Sequence, residues 1–427
     1  MIFLTLLQGC DSTSSIKNPA TSYFVRFYGQ DGDQTGRDFA VLPDGSLVLF
    51  GTSRPTLPTK GTQWYVVRTD ANGQVLWERE FGGKNNEEAR DIELTTSGNL
   101  VLAGNTYDNN GFRDIMVITV TQDGAKVDSA TIVVRDISGV PTVNKDEDVS
   151  SITEISDGFL IAGTSTYVNP GNTGAVPSIT DSHDALKVRV YTNLTVYPNS
   201  WLQVYGKYSD DGSARIVPAP AGGFGNFYAF GYSNTVPLGV TPNYNFWYVI
   251  LGVNGDPIND VTFSGAPSAD EKMTSVAPTP SGYFTTGLLQ SSTATSDVFI
   301  TEASLPDAIN GFVLSKQKTL SINLGTSLSG HTSVYRSVVS GGYFVLAEED
   351  GFDNNQNWVL TRVNNDGSLG WTQPIIFGGA GFDECGAVAE LADGKIILIG
   401  TMRTGRPDAG EFKMTLIKVS REGKFEN

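Results

Sequence analysis

The chain has 427 residues, of which 39% are hydrophobic and 10% aromatic, enough for a packed core and too much for a disordered chain. Forty-six Asp and Glu against 29 Lys and Arg leave a net charge of −17, a field that repels phosphate backbones and argues against a nucleic-acid partner. The 48 glycines favour many tight turns over long helices.

The N-terminus reads MIFLTLLQGCDSTSS. A short apolar run ends at Leu7-Gln8-Gly9-Cys10, which resembles the lipobox of a bacterial lipoprotein signal. That resemblance implies cleavage after residue 9 and acylation (palmitate among the chains) of Cys10, with residues 10–20 as a polar tether. The alternative is an ordinary apolar N-terminus. Nothing downstream approaches 18 consecutive apolar residues, so the expected membrane attachment is through the lipid alone. The other cysteine, Cys385, falls where a related stretch has Ala89, which suggests a small buried residue rather than a nucleophile.

After the tether comes TSYFVRFYG (21–29), and then a motif that recurs seven times: a glycine turn, a run of strand formers and a small residue. It reads DGSLVLFG, SGNLVLAG, DGFLIAG, GGFGNFYAFG, SGYFTTG, GGYFVLA and DGKIILIG, closing on Gly51, Gly104, Gly163, Gly231, Gly287, Ala347 and Gly400. Each unit has an alternating strand before the turn and an apolar second strand after it. A variable loop, an alternating third strand and a second glycine turn follow. A period of 53 to 68 residues in a strand-rich chain predicts a β-propeller blade. The last unit stops at KVSREGKFEN, where its fourth strand is due, and residues 21–29 match that missing strand. The expected fold is therefore all-β, one seven-bladed propeller over residues 21–427 with four-stranded antiparallel blades. Its N-terminal strand completes blade 7 and leaves no open sheet edge.

The phrase W…FGG…(D/E)(D/E)xA…I…(S/D)G…G(T/N)(T/S) resembles the secreted propeller repeats of bacterial and archaeal surface proteins. With the lipobox, the chain is similar to propeller lipoproteins of the Bacteroides–Flavobacterium group. The resemblance implies an outer-membrane lipoprotein at the cell surface or periplasmic face, with an outer-membrane barrel or another surface lipoprotein as partner.

Function is expected on the face that carries the second-to-third and fourth-to-first loops, which are long and varied, rather than on the face of tight turns. Tyr167, Tyr232 and Tyr244 lie there as aromatic anchors for a glycan or protein, or simply pack the loops down. Counting back eleven residues from each glycine turn gives a column at the channel mouth: Gln34, Glu87, Glu147, Glu271, His331 and Asp383, with Asp211 as the nearest match in blade 4. Such a column would hold a cation or meet a basic partner. Alternatively it does a job inside each blade, such as accepting backbone N–H bonds. Residues 31–38 (DGDQTGRD) imitate a calcium loop, but its twelfth position falls on Leu42, so Ca2+ is only a weak cofactor expectation and no metal site is assigned. No catalytic residues are assigned. The expectation is a non-enzymatic binding or scaffold protein in a surface uptake, secretion or assembly complex. The alternative is a glycan-binding or glycan-processing propeller, or a quinoprotein-like one, for which no basic cluster is evident beside the acidic column.

Overall fold

The computed structural model describes residues 23–56, 60–134, 145–166, 183–198, 201–206, 210–234, 243–263, 269–290, 296–322, 324–325, 330–350, 356–379, 381–405 and 410–425. Cys10, the tether and Tyr167 lie outside them. The strands form seven four-stranded antiparallel sheets, and the inner strand of each touches the inner strands of its two neighbours around a ring. This is the seven-bladed propeller expected from the repeats. Blade 7 takes three strands from the C-terminal end and its outer strand, Phe24–Tyr28, from the N-terminal end. Phe24 pairs with Lys418 and Tyr28 with Met414. Among the described residues no helix is long and apolar enough to cross a membrane.

The core lies between blades. Val48, Phe50, Trp64 and Val66 of blade 1 pack on Ala89, Leu100, Leu102 and Met116 of blade 2, and equivalent clusters fill the other interfaces. Each apolar second strand is buried because both of its faces meet a neighbouring sheet. Outer strands add a latch: Trp77 donates its Nε1–H to the Gln122 carbonyl at 3.1 Å and lies flat on Gly124 of the next blade. Trp201 does the same at Val253 and Gly255 of blade 4. These outer-strand tryptophans thus pin adjacent blades together.

The inner strands carry a β-bulge in six blades. In blade 2, Ala89 pairs with Gly104 and Asp91 with Ala103, so Arg90 is the extra residue. Arg37, Ser150, Ala214 and Thr274 are extra in blades 1, 3, 4 and 5, and the blade 7 register slips by one residue between Cys385 and Val388. The bulge accounts for the recurring glycine. A Cβ on Gly104 would overlap the Glu88 carbonyl, and Gly51, Gly163, Gly231, Gly287 and Gly400 each face the corresponding carbonyl of their own inner strand. Blade 6 has no bulge, since Thr332 pairs with Ala347 and Ser333 with Leu346 in unbroken register. It is also the blade in which the closing residue is alanine.

The residue after that glycine stitches blades together. Thr52 accepts the Ala89 amide at 3.0 Å, Thr401 the Gly36 amide at 3.1 Å and Asn105 the Val149 amide at 3.4 Å. Lower down, Asp38 accepts the Ile92 amide at 3.2 Å, Asp91 the Ile152 amide at 2.7 Å and Glu93 the Glu154 amide at 2.9 Å. Burial, followed by the charge of Asp91, holds the Asp38 carboxyl well above its ordinary range. Burial also pushes Glu93 up to about 7, with Arg215 opposing it. A carboxyl raised on folding stabilises the fold below its unfolded pKa and loses that contribution as pH rises through the folded value. Glu93 therefore weakens the fold between about pH 4.5 and 7. Glu93→Gln, whose amide oxygen still accepts the Glu154 amide, should be more stable than the parent at pH 8 and gain little at pH 4.5. Urea melts at the two pH values measure this, and an equal gain at both would refute it.

A charged cleft at the mouth of the channel

A bulge turns one side chain away from the strand's alternation and re-aims it. Here Arg37, Arg90, Ser150, Ala214, Thr274 and Gly386 all face the central channel and line a cavity of about 410 Å³ together with His331. Where blades 7, 1 and 2 meet, the channel opens into a cleft of about 620 Å³. Its walls carry the guanidiniums of Arg37, Arg54 and Arg90, the carboxylates of Asp33, Glu88 and Glu384, and the rings of Tyr107, Phe382 and Phe412. Thr35, Thr52, Thr62 and Thr401 add hydroxyls. Three positive and three negative groups sum to zero, so the cleft is a neutral island on a chain of net charge −17.

The charges alternate along the rim. Glu88 accepts from the Tyr107 hydroxyl at 2.6 Å and from Arg90 Nη2 at 3.0 Å. Arg90 also contacts Asp148 at 2.8 Å, and Asp148 accepts from Arg113 at 3.0 Å. Arg37 and Glu384 stand 3.6 Å apart, each about a third exposed. Burial and the hydrogen bond to Glu88 push the Tyr107 hydroxyl up to about 12. Beneath the rim, Glu348 accepts from the Cys385 amide at 3.0 Å and from Gln356 Nε2 at 3.0 Å. Burial, and then the charge of Glu384, push its carboxyl up to about 7. Cys385 is fully buried with its thiol raised well above the ordinary range, so it is packing and not a nucleophile.

The sequence-predicted column is placed differently from the cleft. Glu87, Glu147, Asp211, Glu271 and Asp383 are each at most 1% exposed. Glu87 accepts from the Gly83 amide at 3.0 Å and from Gln63 Nε2 at 2.7 Å, and Asp383 from the Gly379 and Arg403 amides at 2.8 Å. The Phe-Gly-Gly phrase belongs to this arrangement, because a Cβ on Gly82 would lie 2.6 Å from Glu87 Oε2. In blade 1, Gln34 accepts from Lys413 at 2.9 Å. The strand register moves His331 out of the column: Thr332 pairs with Ala347, so Gly330 takes the column position, and His331 stands beside the channel. Burial, then Arg37 and Arg90, lower its pKa to about 4, so the imidazole is neutral at pH 7.

Tyr232 and Tyr244 pack edge to face at 5.8 Å and enclose the Lys272 ammonium, 4.0 Å from the Tyr244 centroid and 5.0 Å from that of Tyr232. Tyr244 also donates to Asp210. Asp33, from the calcium-like segment, accepts the Phe412 amide at 3.0 Å. Among the described residues no three or more His, Cys, Asp or Glu side chains gather as metal ligands would. The groups that sequence reasoning missed are Arg37, Glu88, Arg90 and Glu384. Glu88 and Glu384 are the second letters of the acidic pairs whose first letters, Glu87 and Asp383, turn inward.

No protein-family model and no curated protein matches the chain. Solved structures that it is similar to include a periplasmic gluconolactonase of Pseudomonas aeruginosa, at 13% identity over 79% of this chain and 85% of that one, TM-score 0.48. A Penicillium chrysogenum α-L-arabinanase complexed with arabinobiose matches at 11% identity over 93% and 95%, TM-score 0.46. The Pan2 WD40 domain of Neurospora crassa matches at 10% identity over 90% and 89%, TM-score 0.47. Likeness at this level describes the fold alone. The expectation of a protein without enzymatic activity is corrected to this extent, that propellers of this fold include enzymes. The basic cluster that the sequence did not reveal is also present, beside Glu88 and Glu384.

Proposed function

We propose that the protein binds and processes a carbohydrate in the channel-mouth cleft. The observation that carries this reading is the interleaving of three guanidiniums with three carboxylates on an open cleft walled by Tyr107, Phe382 and Phe412. A sugar hydroxyl both donates and accepts, so it is matched by a wall that offers carboxylate acceptors next to guanidinium donors. The apolar faces of a sugar ring suit exposed aromatic rings, and Phe382 is 43% exposed at the rim. Glu88 and Glu384 hold the same register position on the inner strands of blades 2 and 7, flanking blade 1 between them. In this reading they are the carboxylate pair of a glycosidic cleavage, one protonating the leaving oxygen and the other taking a proton from the water that attacks the anomeric carbon from the opposite side.

The test is a panel of plant and bacterial polysaccharides, scored for binding and for released reducing ends. Glu88→Gln and Glu384→Gln should each lower turnover on the responsive glycan at least about a hundredfold while leaving binding within a few-fold. A panel in which nothing binds and nothing is cleaved rejects the reading. Acylation of Cys10 would hold this cleft at a membrane surface, and detergent phase partitioning of the full chain with and without Cys10→Ser tests that proposal separately.

A further inference from the structure

The cleft and the channel adjoin at Arg37 and Arg90, which line both. In the channel part the donors outnumber their partners. Arg37 has five N–H donors. Its contact with Glu384, at 3.6 Å, is longer than a hydrogen bond, and among the described residues nothing accepts one from it. Arg90 uses Nε and Nη2 on Asn105, Asp148 and Glu88 and has no described acceptor for Nη1. The His331 imidazole, on the same cavity, has no hydrogen-bond partner among the described residues. The far wall offers the hydroxyls of Ser150 and Thr274. The cavity lining itself carries two guanidiniums, the Asp148 carboxylate and the neutral His331.

We propose that the neck between Arg37, Arg90 and His331 receives the carboxylate of a uronic acid unit, so that the glycan of this protein is an acidic one. The inference rests on the carbohydrate reading above and narrows its substrate class. A planar carboxylate with two oxygens matches the fork of a guanidinium that has no other hydrogen-bond acceptor. His331, neutral, donates through one nitrogen to the same group, while the sugar ring stays in the wider cleft against Tyr107 and Phe382. The charged groups that face this neck are Arg37, Arg90, Glu88, Asp91, Asp148 and Glu384, and bringing in a carboxylate beside the imidazole favours its protonated form.

Calorimetric titration of the full chain with trigalacturonate and with its carboxyl-reduced neutral counterpart tests this. The acidic trimer should bind about tenfold tighter, an advantage of one charge-assisted contact. Arg37→Gln should remove that advantage, lowering affinity for the acidic trimer about tenfold more than for the neutral one. The chain has two histidines, so the imidazole resonances are separable, and the His331 midpoint should move upward with the acidic trimer and stay in place with the neutral one. Equal affinity for the two trimers in the parent protein overturns the inference and leaves the carbohydrate reading standing, as does an acidic advantage that survives Arg37→Gln. Binding of neither trimer, nor of any glycan in the panel, overturns both.

Discussion

Gly104→Ala should destabilise the propeller by roughly 3 kcal/mol, more than most single substitutions on its surface. The new Cβ would overlap the Glu88 carbonyl and approach Trp64 Cζ2 to 3.0 Å. Neither obstacle is a flexible side-chain tip: one is backbone held by the bulge, the other a fully buried indole. To admit the methyl group, the inner strand must part from its neighbour or the bulge must collapse, and collapse takes Arg90 out of the channel. The reciprocal change in blade 6, Ala347→Gly, has no bulge to relieve and should cost only about 1 kcal/mol through backbone entropy. Urea unfolding of both variants checks the pair. A parental midpoint for Gly104→Ala would show that the bulge and the glycine are unrelated.

Removing residues 1–28 should abolish cooperative folding, an effect on the order of 5 kcal/mol or more, which is the whole stability of many domains. The deletion strips Phe24–Tyr28 from blade 7 and leaves Glu411–Val419 as an open edge. It also removes Tyr28, 4% exposed, whose hydroxyl donates to the Gly73 carbonyl of blade 1 at 2.8 Å. An unpaired edge of alternating apolar residues invites pairing with a second chain. The expected signs are loss of near-ultraviolet circular dichroism and growth of light scattering, both reversed by a synthetic 21–29 peptide added during refolding. A truncated chain that stays monomeric with an unchanged melting curve would show that closure contributes nothing.

The architecture was legible because each blade repeats a glycine turn and a doubly buried apolar strand, and because residues 21–29 match the strand that blade 7 lacks. The site was less legible for one physical reason. Sequence alternation tells inward from outward only while the period of two holds, and a bulge breaks it where the channel begins. Arg37 and Arg90 therefore look like ordinary strand residues, and Glu87 looks interchangeable with Glu88 although one is buried and the other lines the cleft. His331 was misplaced by a single step because Gly342 stands two residues further into its turn than Gly98 does, and the missing bulge of blade 6 takes back only one. Tyr232 and Tyr244 were recognisable as loop-face aromatics, but their engagement with Lys272 depends on blades 4 and 5 meeting, which local sequence does not encode.

The bulges also divide labour between the residues around the axis. A bulged side chain has no ladder neighbour across from it, while the burden of holding blades together falls on the glycine opposite, the threonine or asparagine after it, and the acid or serine that follows the bulge. The chemistry of the channel is thus separable from the mechanics of the ring. Six positions, Arg37, Arg90, Ser150, Ala214, Thr274 and Gly386, are sockets that open on the channel; five of them hold side chains, while at Gly386 a Cβ would lie 2.3 Å from the Arg37 carbonyl. Two of the six sockets, in adjacent blades, hold arginine, and the remainder hold small residues. A protein built this way changes its ligand by substitutions at the sockets, and a library randomised at the five that hold side chains should vary in what it binds while Gly386 is kept.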